Sequence, residues 1–524
     1  MRSQSIVVTM AKKTAWITPY KKQKKLLILK TSLFFQCFVT AGVCLNMSSQ
    51  GVVVGYAAIL LPQLKRPGSE IPIDDSSGSW IASIMGFTLV AGNFIVPLIM
   101  ANYGRKTANI ISIIPMLIGW FGIVFAGSVE VMLFARALQG LAMGMSSSIG
   151  PVLIGEYASP KNRGAFLMLM SIAIGIGVLG VHTMGSFMTW QHTALICAIV
   201  VFMDLLIVIY SPETPSWLAD QGRYDESRKV FRWLRGDGEE EELQRIVQTS
   251  VMVRESKAEI SSSETLVKKI RRNIAYFRMT IAKKEFHKPI FIMIHIYTFG
   301  QWSGANILAT YTSLVFENVI GPGSNVALLL ITLGIQRVIS NTSALIVIRK
   351  MKRRSMLLAT GCINIFAYLS QAAYSYAKEH DMLPFDHPMI GVVLIHIHMF
   401  SIATGTIPLP LVLAGELFPL EFRSLAGGIS VLFFSGNTFI TIKTFTYLSS
   451  TLGLYGAYCL YAAVVCYSLV VALMFLPETK DRTLQDIEDE FRGRALSPEE
   501  VKATQSLTSL KFNNLDRRCS SPML

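Results

Sequence analysis

The chain has 524 residues, of which 52% are hydrophobic and only 16% charged, and its formal net charge is +14. Its mean hydropathy is +0.46. Soluble domains carry nearer ~25% charged residues, so a set of two or three water-soluble domains is excluded. The seven cysteines lie mostly in apolar runs without CxxC or metal-ligand spacing, which implies neither a zinc site nor a disulfide framework.

Residues 1–32 form a basic arm with Lys12, Lys13, Lys21, Lys22, Lys24 and Lys25. No short apolar region with a small-residue cleavage site precedes the first long run, so that run is expected to remain as a helix. Apolar stretches long enough for ~20-residue spans fall at 33–62, 79–100, 107–126, 131–154, 164–187 and 193–211. They resume at 289–315, 325–348, 355–377, 389–414, 425–448 and 453–476. The expected fold is all-α: twelve transmembrane helices in two six-helix bundles, at 33–211 and 289–476. The first run exceeds one span, and Gly51 and Gly55 permit a bend in it. The connecting stretch 212–288 is mixed in sign, has helical patterns such as Tyr224 to Arg235, and reads as short solvated helices. Residues 477–524 form a polar tail, expected to be disordered beyond about 492.

The two halves repeat one another. Pro151-Val-Leu-Ile-Gly-Glu156 runs on to Arg163, and Pro410-Leu-Val-Leu-Ala-Gly-Glu416 runs on to Arg423, with the same Glu-x6-Arg spacing. Pro212-Glu213-Thr-Pro is answered by Pro477-Glu478-Thr-Lys. A chain that repeats itself over half its length holds two copies of one unit. Lys and Arg gather in the short loops of one face: Arg105, Lys106, Lys161, Arg163, the run Arg349 to Arg354, and Arg423. The opposite face has little beyond Lys65, Arg66 and Lys378. By the positive-inside rule the basic face, both termini and the 212–288 loop are expected in the cytoplasm. The net charge is thereby assigned to topology and not to a nucleic-acid partner. No P-loop, nucleophile elbow, HExxH or dinucleotide fingerprint is present, so neither ATP-driven pumping by this chain nor an enzyme is expected.

Charges at a bilayer boundary are costly unless paired. Glu156 and Glu416 end the fourth and tenth spans, Arg163 and Arg423 begin the fifth and eleventh, and Arg136 precedes Gly140 and Gly144. These charges either form a pair of equivalent latches on the cytoplasmic face or only staple loops. The glycines allow close helix contact.

On these residues the chain resembles a sugar porter of the major facilitator superfamily, in particular the insect facilitated trehalose transporters. The resemblance is carried by Gly104-Arg-Lys106, Arg136, Glu156…Arg163, Pro212-Glu-Thr-Pro-Ser-Trp217 and Gln301-Trp-Ser-Gly-Ala-Asn306. It continues in Pro408-Leu-Pro410, Glu416…Arg423, Lys443-Thr-Phe445 and Pro477-Glu-Thr-Lys480, and covers residues 40–490. It implies two bundles rocking about a central solute site, a small-molecule solute within a lipid bilayer, and no cofactor or metal.

The resemblance assigns solute contact to Gln301, Ser303, Asn306 and Asn437, with Arg337 where the family has an asparagine. It assigns gating to Arg105, Arg136, Glu156, Arg163, Glu213, Glu416, Arg423 and Glu478. Five residues apart in an α-helix is about 140°, so Gln301 and Asn306 are expected to flank one opening without stacking on one stripe. Several family positions are changed: Gly300 replaces a glutamine, and Ser171, Leu411 and Phe434 stand where amides and a tryptophan are usual. Ala101 and Arg349 stand where acids precede the basic loop motifs, and Ala57 where proton-coupled relatives have an aspartate. The loss of that acid favours facilitated diffusion over symport. Arg337, in mid-span, is either an anchor for an anionic solute or a structural partner of other groups. Asp204 and Lys443 are further charges within spans. The expected function is uniport of a sugar such as trehalose or a hexose at the plasma membrane. A carrier for a small organic anion and a non-transporting sensor are the alternatives.

Overall fold

Backbone crossing hydrocarbon must satisfy its own polar groups, and each long apolar run is helical. The computed structural model describes residues 2–261, 283–320, 325–383, 385, 387–418, 423–482 and 484–493. The basic stretch 262–282 and the tail beyond 493 lie outside the described residues.

The first six spans are α1 (Arg2–Leu64), α2 (Asp75–Tyr103), α3 (Arg105–Val124), α4 (Val129–Tyr157), α5 (Pro160–Phe187) and α6 (Trp190–Tyr210). Short polar side chains start several of them by accepting an otherwise orphaned N–H. Asp74 accepts from Ser77 at 3.0 Å, Ser128 from Val131 and Thr189 from His192, both at 3.4 Å. Pro160 begins α5, where its missing N–H costs nothing. The first run is one unbroken helix. Gly51 and Gly55 instead lie against Ile174, Val181 and His182 of α5, where a Cβ would collide. Gly140 and Gly144 meet the backbone of Met85 and Leu89 in the same way, which brings α4 close to α2.

Three short helices follow: α7 (Pro215–Asp220), α8 (Tyr224–Arg235) and α9 (Glu240–Ser261). The second half then opens with a broken span, α10 (Lys284–Gly300), a π-turn at Gln301–Ala305, α11 (Asn306–Thr310) and α12 (Thr312–Ile320). It continues through α13 (Val326–Lys350) and α14 (Arg353–Glu379). The tenth span is α15 (Pro388–Ser401), a π-turn at Ile402–Thr406, and α16 (Pro408–Leu417). Next come α17 (Arg423–Thr451), α18 (Gly453–Phe475) and a short α19 (Leu484–Arg492).

Among the described residues, ten segments are long and apolar enough to cross a membrane by themselves, with Pro388–Leu417 taken as one. The broken α10–α12 and α17 supply the other two, so the twelve-span fold read from the sequence is the observed one. Large apolar side chains including Phe94, Phe134, Phe187 and Phe366 are exposed, which suits hydrocarbon and not water.

Within the first half α1 packs on α5 and α2 on α4. In the second, α14 and α10 pack on α18. The halves meet along α2 with α17 and along α5 with α13, while α1 touches α11 and α12.

Candidate functional site

The seventh span is where regular helix gives way. Gly304 has φ 96° and ψ 2°, a left-handed conformation that suits glycine. Breaking the i to i−4 ladder frees the Ser303 carbonyl, and it is recaptured: Asn364 donates to it at 3.0 Å, and His398 lies at 2.8 Å. The second π-turn is tied to the first by Thr406, which donates to the Ser303 hydroxyl at 3.0 Å. Ser303 in turn donates to the Gly300 carbonyl at 2.6 Å. Ser303 is therefore fully buried scaffold.

A π-turn takes up more residues than an α-turn, and this overturns the 140° separation expected of Gln301 and Asn306. Asn306 Nδ2 donates to Gln301 Oε1 at 2.5 Å, and Thr438 donates to the same oxygen at 3.0 Å. Asn437 accepts from Trp302 Nε1 at 2.9 Å and donates to the Phe433 carbonyl at 2.8 Å. Three of the five proposed solute contacts, Gln301, Asn306 and Asn437, thus sit on one polar seam between the seventh and eleventh spans, while Ser303 turns to the ninth and tenth. Phe434 packs edge-on to Tyr297 in that seam, while Leu411 is exposed.

The basic face carries two matching clusters. Arg105 Nε donates to Glu156 Oε1 at 3.1 Å, and Arg353 Nη2 to Glu416 Oε1 at 2.9 Å. Glu213 accepts from the backbone N–H of Arg105 and of Lys106, each at 3.1 Å, and so caps α3. Glu478 does the same for α14, accepting from Arg353 at 2.9 Å and Arg354 at 3.3 Å. A carboxylate on free amides at a helix N-terminus is favourable. Burial alone raises the Glu478 carboxyl, but the amides of Arg353, Lys480, Arg354 and Thr479 outweigh it and hold it below its ordinary value. Gly104, at φ 96° and ψ 168°, makes the turn that brings Glu213 onto α3.

Each cluster lies within its own half. Among the described residues no ion pair joins the two halves at this face. Arg163 pairs with Glu242 of α9 at 3.8 Å and not with Glu156. The Arg423 side chain lies outside the described residues. Two partners were missed in the sequence. Arg353 is the counterpart of Arg105, a match visible once Gly104-Arg-Lys is set against Lys352-Arg-Arg. Arg235 is buried at the end of α4, where it donates to the carbonyls of Glu156 at 3.1 Å and Ala158 at 2.8 Å and pairs with Glu242 at 2.9 Å. No motif signals Arg235; only the docking of α8 under α4 puts it there.

Arg136 is remote from these clusters, near the far end of α4. It is wholly buried and donates to the carbonyls of Ile81 and Val53 at 3.2 and 2.9 Å, to Gln139 at 3.0 Å and to Met85 Sδ at 3.2 Å. Every one of these partners belongs to the first half. Asp204 accepts from Asn46 at 3.1 Å, and Lys443 sits 4.0 Å over the Trp80 ring, across the junction of the halves.

A cavity of about 1060 Å³ opens between the halves at the face opposite the basic one. Ala57, Leu61 and Ser79 line one wall and Tyr311, Ser313 and Lys443 the other. None of Gln301, Asn306 or Arg337 reaches it. At its floor Thr310 donates to the Val54 carbonyl at 3.4 Å, and His182 lies 3.1 Å from the Ala309 carbonyl. The cavity is an antechamber, and the polar seam lies beyond it.

The profile of the family described as "Sugar (and other) transporter" matches residues 23–491. This chain belongs to the sugar transporter family. Among its relatives is the facilitated trehalose transporter of Culex quinquefasciatus, 27% identical over 478 residues, covering 90% of this chain and 88% of that one. The Apis mellifera ligustica facilitated trehalose transporter is 27% identical over 480 residues, covering 89% and 90%. In fold, the chain superposes on the inward-open xylose transporter of E. coli with a TM-score of 0.67 at 16% identity, covering 86% of this chain and 99% of that one. A peptide transporter gives a TM-score of 0.57 at 14% identity, covering 83% and 93%. Likeness to carriers of such different solutes shows the sugar transporters' fold to be a general one.

Proposed function

We propose that this protein carries a sugar, trehalose or a hexose, down its gradient by alternating access. The family match over residues 23–491 carries the reading, and the relatives' trehalose transport supports the choice of solute. Solute enters the antechamber, meets the floor at Thr310 and His182, and passes to the seam of Gln301, Asn306 and Asn437 when the halves rock. No covalent step is needed. Ala57, on the antechamber wall, stands where proton-coupled relatives have an aspartate, which supports uniport over symport.

On the basic face, Arg105, Glu156 and Glu213 hold the first half's helix ends as one rigid piece, and Arg353, Glu416 and Glu478 hold the second's. Arg163 and Arg423 border the same face and complete the inner gate. Arg136 positions α1, α2 and α4. The basic loops support a cytoplasmic location for that face and for both termini, in a plasma-membrane protein.

Counterflow of radiolabelled trehalose and glucose into proteoliposomes tests the proposal. Saturable exchange without response to a pH gradient is expected. Flux that needs a proton gradient would defeat uniport, and no flux alongside sugar-induced thermal stabilisation would turn the reading toward a sensor.

A further inference from the structure

Arg337 lies apart from the polar seam of Gln301, Asn306 and Asn437. It stands near the middle of α13, about 17 Å from its start and about 20 Å from its end at 1.5 Å per residue. It is 7% exposed, and its Cγ lies 4.0 Å from where a Cβ on Gly175 of α5 would stand. Among the described residues it makes no ion pair or hydrogen bond, and its Nε is enclosed without an acceptor.

Arg136 shows the alternative. Also buried within a span, it spends its donors on two carbonyls, an amide oxygen and a sulfur. One turn on from Arg337, Asn341 gives its Nδ2 to the Ser171 carbonyl at 3.4 Å, and its Oδ1 is enclosed and unpartnered. A guanidinium without a protein partner and a lone buried acceptor, one helical turn apart, lie beside Gly175 where the two halves meet. A guanidinium this deep in a span without a protein partner calls for an anion, and a carboxylate matches the guanidinium fork in geometry as well as charge. The acceptor on Asn341 suits a hydroxyl. Neutral sugars supply only the second of these.

We infer that the solute path takes sugar acids, hydroxylated monocarboxylates whose carboxylate is anchored by Arg337 and whose hydroxyl is accepted by Asn341. This rests on the sugar-transport reading above and adds a substrate class to it.

Glucuronate is a suitable probe. The purified full-length protein is expected to gain more thermal stability from glucuronate than from glucose, and proteoliposomes to take up labelled glucuronate saturably. Arg337→Gln should abolish the glucuronate-specific shift and lower the glucuronate-to-glucose uptake ratio at least tenfold, with Arg337→Lys intermediate. If the glutamine variant does not fold, competition by glucuronate against labelled glucose in the unaltered protein decides. Uptake of glucose or trehalose with no entry, competition or stabilisation by glucuronate would overturn the sugar-acid inference and leave sugar transport standing. Arg337-dependent stabilisation by glucuronate without flux of any solute would do the reverse.

Discussion

At the scale of single residues, the charged side chains differ less in burial than in what they touch. Arg136 and Arg337 read alike in the sequence, as arginines inside apolar runs. Only their neighbours separate a satisfied scaffold from an unsatisfied site. Replacing Arg136 by alanine removes charge-assisted bonds to two carbonyls and an amide and leaves a cavity, so a loss of about 3 kcal/mol is expected. It should be measured as a lower melting temperature of the purified protein, with no change in solute preference. Glu478 makes a pH-dependent prediction. Its carboxyl is held low in the folded protein, so its stabilising effect is complete above the free carboxyl's value of about 4.3 and fades as the pH falls through the lowered folded value. Glu478→Gln should melt below the parent protein at pH 7, and the gap should close as the pH drops below about 4. A gap that persists unchanged in acid would argue against the helix-capping role.

At the scale of elements, the broken seventh span is the point where the geometry expected from the sequence differs from that of the fold. Gln301, Ser303 and Asn306 were legible as polar groups in an apolar run. Their mutual placement was not, because α-helical angles were applied across a π-turn. The glycine that makes the break possible was in plain view, but its φ is a property of the fold. A Cβ on Gly304 would lie 2.6 Å from the Tyr368 hydroxyl, and non-glycine backbone there costs about 1–3 kcal/mol. Gly304→Ala should therefore reduce transport sharply and separate Asn306 from Gln301, while membrane insertion persists. Uptake beside cell-surface abundance would check this, and full activity would refute a role for the kink. The bridging helices tell a similar story. Tyr224 to Arg235 was readable as helix, yet the capping of α4 by Arg235 was invisible, because it depends on a docking contact between elements far apart in sequence.

At the scale of the molecule, the halves are joined by few polar contacts, and these favour the antechamber side and the middle. Thr446 donates to Ser79 at 2.9 Å, Ser313 to the Ala58 carbonyl at 2.8 Å and Asn93 to Ser435 at 2.8 Å. If the halves rock, the Ser79–Thr446 contact must open on every cycle. A cysteine pair at those two positions should cross-link on oxidation and cut uptake to roughly a tenth, with recovery on reduction. Undiminished uptake in the fully cross-linked protein would rule out rocking at that face.

The division between what was legible and what was not follows from the range of the forces involved. Span count, the duplicated halves and the basic face are set by local hydropathy and by charge next to each span. The membrane acts on each segment separately, so the sequence by itself determined them. Which charges are satisfied, where Arg353 and Arg235 find their partners, and why Arg337 has none depend on contacts between helices distant in the chain. Small residues such as Gly175 and Gly144 admit those approaches without announcing them, and there only the tertiary structure decided.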